Sequence, residues 1–147
     1  MNTKLNELKI KLEKMEVKPT YIRLKILGYL EKNKSHPTAE EIYKALSEEI
    51  PTISRTSIYN TLNFFHEKGL VSPLFITGSE TRYDSNTSPH HHFMCEKCGR
   101  IIDINIDCPY FKKGQVADHK IKEWHGYFKG ICRDCLQKEN KHDSSKN

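Results

Sequence analysis

Four of the five cysteines fall into two Cys-x-x-Cys pairs, Cys95/Cys98 and Cys132/Cys135, separated by 33 residues, while Cys108 stands apart. A turn-like pair of this spacing can present two sulfurs to one side of a tetrahedron. Two such pairs make the closed, four-thiolate arrangement in which structural zinc is held with no position left for a substrate. Gly99, directly after the second cysteine, suits the tight knuckle that such a pair needs. Two disulfides or redox-active pairs are the competing readings, and a reducing compartment favours metal over both. The region from residue 84 onward is small for a self-sufficient apolar core. Structural zinc can add on the order of 10 kcal/mol of folding free energy there.

Just upstream stands His90-His91-His92. In an extended chain alternate side chains share a face, so His90 and His92 point together and His91 points away. Two imidazoles beside the linker aspartate Asp84 form a plausible metal site, although a run of histidines also reads as a flexible polar stretch. His36 and Asp103 lie too far off in sequence for spacing to bring them into the same group.

The elements that must carry these residues begin with four short helices. Leu5, Leu8, Leu12 and Met15 recur at helical spacing over Leu5–Val17, and Pro19 ends that helix. Ile22, Ile26, Leu27 and Leu30 give the second an inward face. Thr38, three residues before Glu41, forms a capping box for a third through Ile42, Tyr43 and Leu46. Ser54 caps a fourth, with Ile58, Leu62 and Phe65 inward and Gly69 at its end. Leu70–Ile76 and Thr81–Tyr83 then flank a polar turn as a two-stranded hairpin. Helices followed by a hairpin describe a winged helix-turn-helix. On its fourth helix Arg55, Thr56, Tyr59, Asn60 and Asn63 lie off the apolar stripe. Tyr59 could contact thymine methyls or a phosphate, and either asparagine could bond adenine. A merely solvated helix face explains the same pattern.

Beyond Tyr83 the composition turns polar, then rich in histidine and cysteine. Ile101–Ile106 and Tyr127–Ile131 read as strands bracketing the cysteine pairs, and Pro109–Trp124 is ambiguous. The expected organisation is α+β: a winged-helix DNA-binding domain over 1–83, a hinge over 84–89, a zinc-containing α/β dimerisation domain over 90–136, and a polar, unstructured tail over 137–147. A net charge of +5 permits nucleic-acid binding without arguing for it. Neither a membrane-length apolar run nor a secretion signal is present, so a soluble, cytoplasmic protein is expected.

The motif order resembles the ferric uptake regulator (Fur) family over nearly the whole chain. It runs from His36-Pro37-Thr38-Ala39-Glu40-Glu41-Ile42-Tyr43 through Ser54-Arg55-Thr56-Ser57-Ile58-Tyr59-Asn60-Thr61-Leu62 and Gly69-Leu70-Val71. It continues with Arg82-Tyr83-Asp84, the three histidines, and the two cysteine pairs. The resemblance implies a homodimeric repressor that binds an inverted-repeat operator in double-stranded DNA. It implies a regulatory site for Fe2+ or Mn2+ at His36, Asp84, His90, His92 and Asp103, a hard donor set. Aspartates at both carboxylate positions resemble the peroxide-sensing (PerR) branch, in which a ligand histidine is oxidised; the matched targets are His36 and His90. Arg23 is matched to a phosphate contact, although Tyr21-Ile22-Arg23 replaces the family's Pro-Gln-Arg. Pro109 and Gly114 interrupt the segment where the family has a dimerisation helix, and His119 and His125 match no site. An iron- or zinc-uptake repressor is the alternative within the family. Outside it stand a zinc enzyme, for which no general base or pocket signature is evident, and a zinc-ribbon interaction module.

Overall fold

The computed structural model describes residues 3–75, 80–88, 90–106, 109, 113–122 and 126–144, with side chains through residue 141. Of the expected hairpin, the last residue of its first strand, Ile76, and three residues of its Thr77–Glu80 turn, 77–79, lie outside the described residues, as do Pro89, Cys108, Trp124 and His125. The chain divides into two compact units, Met1–Thr87 and Ser88–Asn147.

The first unit packs four helices around one apolar core. Helix α1 (Thr3–Lys14) buries Leu8 and Leu12. It stops short of the expected Val17 because Glu16 turns left-handed, with φ 58°. That turn sends Val17 inward and leaves Met15, expected to face the core, 38% exposed. Helix α2 (Tyr21–Lys32) buries Ile26, Leu27 and Leu30, and Ile22 packs at the margin. Helix α3 (Ala39–Ser47) opens on the capping box: Glu41 N donates to Thr38 Oγ1 at 3.1 Å and Thr38 N to Glu41 Oε2 at 3.0 Å. Helix α4 (Arg55–Glu67) is capped by Ser54 Oγ, which accepts from Ser57 N at 3.1 Å, and buries Ile58, Leu62 and Phe65.

Helix α4 ends in a Schellman motif. Gly69, at φ 74°, lets its own N–H reach His66 O at 3.0 Å and Leu70 N reach Phe65 O at 2.8 Å. The chain continues into β1 (Ser72–Leu74), antiparallel to β2 (Arg82–Asp84), with Pro73 opposite Tyr83 and both buried. Four helices and this wing constitute a winged helix-turn-helix. Asp84, read as the start of the linker, is instead the buried last residue of β2.

The second unit is built on β3 (His91–Cys95), the centre of a three-stranded sheet ordered β4-β3-β7. Strand β4 (Ile101–Ile104) pairs antiparallel to it, and β7 (Tyr127–Gly130) pairs parallel. Both flanking strands are shorter than expected. Within the ambiguous segment, β5 (Gln115–Val116) and β6 (His119–Lys120) form a two-residue hairpin. Its turn residues Ala117 and Asp118 both have positive φ, as a type I′ turn requires. Helix α5 (Arg133–Ser144) runs through the segment expected to be an unstructured tail. Its Gln-Lys-Glu-Asn-Lys run is made largely of good helix formers, and the helix grows from the second cysteine pair, where Leu136 N donates to Cys132 O at 2.9 Å.

Candidate metal centres and nucleic-acid interface

The cysteine pairs converge. Cys95 Sγ lies 3.8 Å from Cys135 Sγ and Cys98 Sγ 3.8 Å from Cys132 Sγ, and all four sulfurs fit within 4.8 Å of one another. A tetrahedron with metal–sulfur bonds of about 2.3 Å has edges of about 3.8 Å, whereas a disulfide needs about 2 Å. The four sulfurs are therefore spaced for a shared structural zinc ion and not for two cystines. Gly99, at φ 75°, closes the first knuckle, and its N–H reaches Cys95 O at 2.9 Å.

The backbone prepares this site for charge. The Cys95 thiol is brought down to about 6, chiefly by the N–H of Cys98 and then by that of Cys132. Cys132 is also lowered, first by the N–H of Cys135. Cys135 is pushed up to about 12, chiefly by its hydrogen bond to Cys132, a cost that a bound divalent cation would offset. Sequence spacing gave no sign of Arg100, whose guanidinium reaches Cys132 Sγ at 3.7 Å and Asp134 Oδ2 at 2.6 Å.

Each unit also carries a histidine–carboxylate group. In the first, His36 sits in the left-handed region at φ 57°, a conformation uncommon for a residue with a Cβ and frequent at functional sites. The wing fixes it there: Arg82 Nη1 donates to His36 O at 3.0 Å and Tyr83 N to Pro37 O at 3.0 Å. His36 Nε2 faces Asp84 Oδ2 at 3.4 Å, both side chains buried, while Asp84 Oδ1 accepts from Asn86 N at 2.9 Å.

In the second unit the sheet register does the positioning. His92 is directly opposite Asp103 across β3 and β4, so their side chains share a face. His92 Nε2 is 3.3 Å and His90 Nε2 3.6 Å from Asp103 Oδ1, with the two imidazole centroids 4.4 Å apart. His91 lies in the opposite phase of the strand, is buried, and approaches Phe128 with ring centroids 6.0 Å apart. His90 Nδ1 lies 2.6 Å from Ser88 O. An imidazole anchored by Nδ1–H to a carbonyl offers its Nε2 lone pair outward, as metal-binding histidines do. Ligand atoms about 2.1 Å from one ion and at right angles stand about 3 Å apart, so the donors within each unit suit a shared cation.

On α4, Arg55, Thr56, Tyr59, Asn60 and Asn63 are all exposed and lie on one face. Two expected DNA contacts are already engaged within the protein. Arg55 Nε and Nη2 donate to Glu40 Oε2 and Oε1, each at 3.0 Å. This bond holds the Glu40 carboxyl below and the Arg55 guanidinium above its usual range. Arg23 Nη1 donates to Lys18 O at 2.9 Å, and its guanidinium lies over Phe64, 4.7 Å from the ring centroid.

Comparison with known proteins agrees with this architecture. The model of the ferric uptake regulator family matches residues 14–126, and the chain belongs to that family. It is 39% identical over 132 residues to the peroxide-responsive repressor PerR of Staphylococcus epidermidis, covering 88% of each chain. It is 38% identical over 141 residues to the peroxide operon regulator of Bacillus subtilis, covering 92% of this chain and 97% of that one. Among solved structures it resembles the Vibrio cholerae ferric uptake regulator, with a TM-score of 0.65 and 28% identity over 84% of this chain and 98% of that chain. It also resembles PerR from Streptococcus pyogenes, with a TM-score of 0.50 and 29% identity over 92% and 94% of the two chains. Both sequence relatives are named as regulators, not as enzymes. No helix among the described residues is long and apolar enough to cross a membrane.

Proposed function

We propose that this chain is a homodimeric, metal-dependent repressor that binds an inverted-repeat operator and releases it on exposure to hydrogen peroxide. It acts by binding rather than as an enzyme, and in the cytoplasm. The observation that carries this reading is the pair of aspartate–histidine groups, each with imidazole Nε2 turned toward a carboxylate, in a chain whose relatives are peroxide regulators.

His36, Asp84, His90, His92 and Asp103 are the proposed ligands of one Fe2+ or Mn2+ ion. The family resemblance implies that all five hold one ion, two from the first unit and three from the second, and its binding would then link the winged helix to the dimerising unit. In a dimer this sets the separation of the two α4 helices against half-sites spaced by helical turns of DNA. The affinity difference between the tied and untied forms is the switch. Ferrous iron, if bound by these residues, would lend an electron to activate peroxide and recover it as the ring is oxidised. In net terms one peroxide oxygen enters an imidazole ring carbon and the other leaves as water. His36 and His90 are the proposed targets, and an oxidised ring holds its carboxylate partner and the metal less well. Arg23, Arg55, Thr56, Tyr59, Asn60 and Asn63 are the proposed DNA contacts.

The test is operator binding by the zinc-loaded protein under anaerobic conditions, with Fe2+ or Mn2+, before and after a brief peroxide pulse. Metal-dependent binding is expected in both cases. Only the iron form should release DNA, with a single added oxygen on His36 or His90 by mass spectrometry. Binding that survives peroxide in both forms would instead make the protein a repressor that reads metal level.

A further inference from the structure

Arg55 is the first residue of α4, and the N-terminal residues of a recognition helix are the ones that reach base edges. An exposed arginine on a helix is ordinarily a mobile charge, and a surface ion pair contributes little. Arg55 is held differently. Glu40 grips the Nε/Nη2 side of the guanidinium with two bonds of 3.0 Å, and the ring of Tyr43 covers one face, its centroid 4.2 Å away. Glu40 and Tyr43 are three residues apart on α3 and so share one face of that helix. One edge and one face of the guanidinium plane are fixed, while the side chain remains 59% exposed.

Such an arrangement is poorly suited to attracting phosphate, because Glu40 already offsets the charge. It is well suited to directional recognition. A carboxylate bound to Nε and Nη2 leaves the Nη1/Nη2 end of the fork pointing away, with two parallel N–H donors. Those donors match guanine O6 and N7, the pairing by which arginine most often specifies a base in the major groove. We infer that Arg55 is a specificity-determining residue that reads one guanine in each operator half-site, with Glu40 and Tyr43 as positioning residues that aim its fork. This rests on the DNA-binding reading above and assigns a base class to it.

The experiment uses the full zinc- and manganese-loaded chain. An operator is selected from duplexes with randomised half-sites, and each selected position is then varied while binding is followed by fluorescence anisotropy across a range of salt. Wild type should prefer one guanine per half-site by about 10-fold or more over other bases there. R55K keeps the charge but loses the fork, so it should lose that preference with a little-changed salt slope. E40Q removes the offsetting charge and loosens the aim, so it should bind all duplexes more tightly while narrowing the guanine preference. Unchanged sequence preference in R55K would overturn the assignment, as would a uniform loss of affinity across all bases. E40Q with its preference intact would overturn the positioning role of Glu40. If wild type binds no duplex with metal present, the repressor reading itself falls, an outcome distinct from binding without the guanine preference.

Discussion

The two units solve the same stability problem by different means. The first surrounds Phe65, Leu62, Ile58, Ile42 and Leu12 with a continuous apolar cluster running from Leu8 to Tyr83. In the second, among the described residues, the buried members of the corresponding cluster are Cys95, Cys132 and Cys135, with Phe93, Ile102 and Ile131 only partly covered. One unit is held by area removed from water, which many residues share, and the other by a few bonds to one ion. Damage to the first should therefore be graded by the side chain lost, and damage to the second should be all-or-none.

The largest expected effect follows from removing zinc. A strong chelator should abolish the β4-β3-β7 sheet, a loss on the order of 10 kcal/mol, while the helical unit persists. Residue-resolved NMR should show signals from 88–141 collapsing and those from 3–75 retained; simultaneous loss of both sets would show the units to be one cooperative body. Next in size is Phe65→Ala, expected to cost about 3–5 kcal/mol in the first unit by opening a cavity in a close-packed core. Its melting transition should move down with the bound-zinc content unchanged. Smallest is Thr38→Ala, which removes the hydroxyl half of the capping box and should cost about 1 kcal/mol. Chemical denaturation resolves that difference, and Thr38→Ser should restore most of it.

Much of the first unit was legible in sequence because its signals are local. Thr38 with Glu41, Ser54 with Ser57, and Gly69 with Leu70 act within a few residues, and the helical period picked out Ile26, Ile42 and Phe65. The misplacement of Met15 and Val17 has a local cause as well: the backbone reversal at Glu16 breaks the period that carried the expectation. The cysteine spacing favoured a four-thiolate site over disulfides, and the sulfur–sulfur separations of 3.8 Å agree with it.

What was not legible depended on distant partners or on anchoring. The polar run after Gln137 lacks an apolar stripe and reads as solvent-exposed tail, yet attachment at Cys132 and Cys135 nucleates its helix. Lys97 and Glu139, 42 residues apart, pair across the knuckle. Asp103 beside His92 is a matter of strand register, and Arg55 against Glu40 is a matter of how two helices pack. Neither can be deduced from spacing along the chain.

Strand β3 runs from His91 to Cys95, with the proposed ligand His92 as its second residue and the thiol of Cys95 at its end. His92 and Cys95 are three positions apart, about 10 Å at the rise of an extended chain, with no loop between them to absorb a change. This imposes an order of assembly on the proposed ligand set. If the sheet collapses without zinc as expected above, His92 and Asp103 lose the register in which they meet, and the regulatory ion loses its proposed site. A molecule made during zinc scarcity would then be a silent sensor rather than a weak one, and zinc supply would determine how many sensors exist before iron or manganese decides what each one reports.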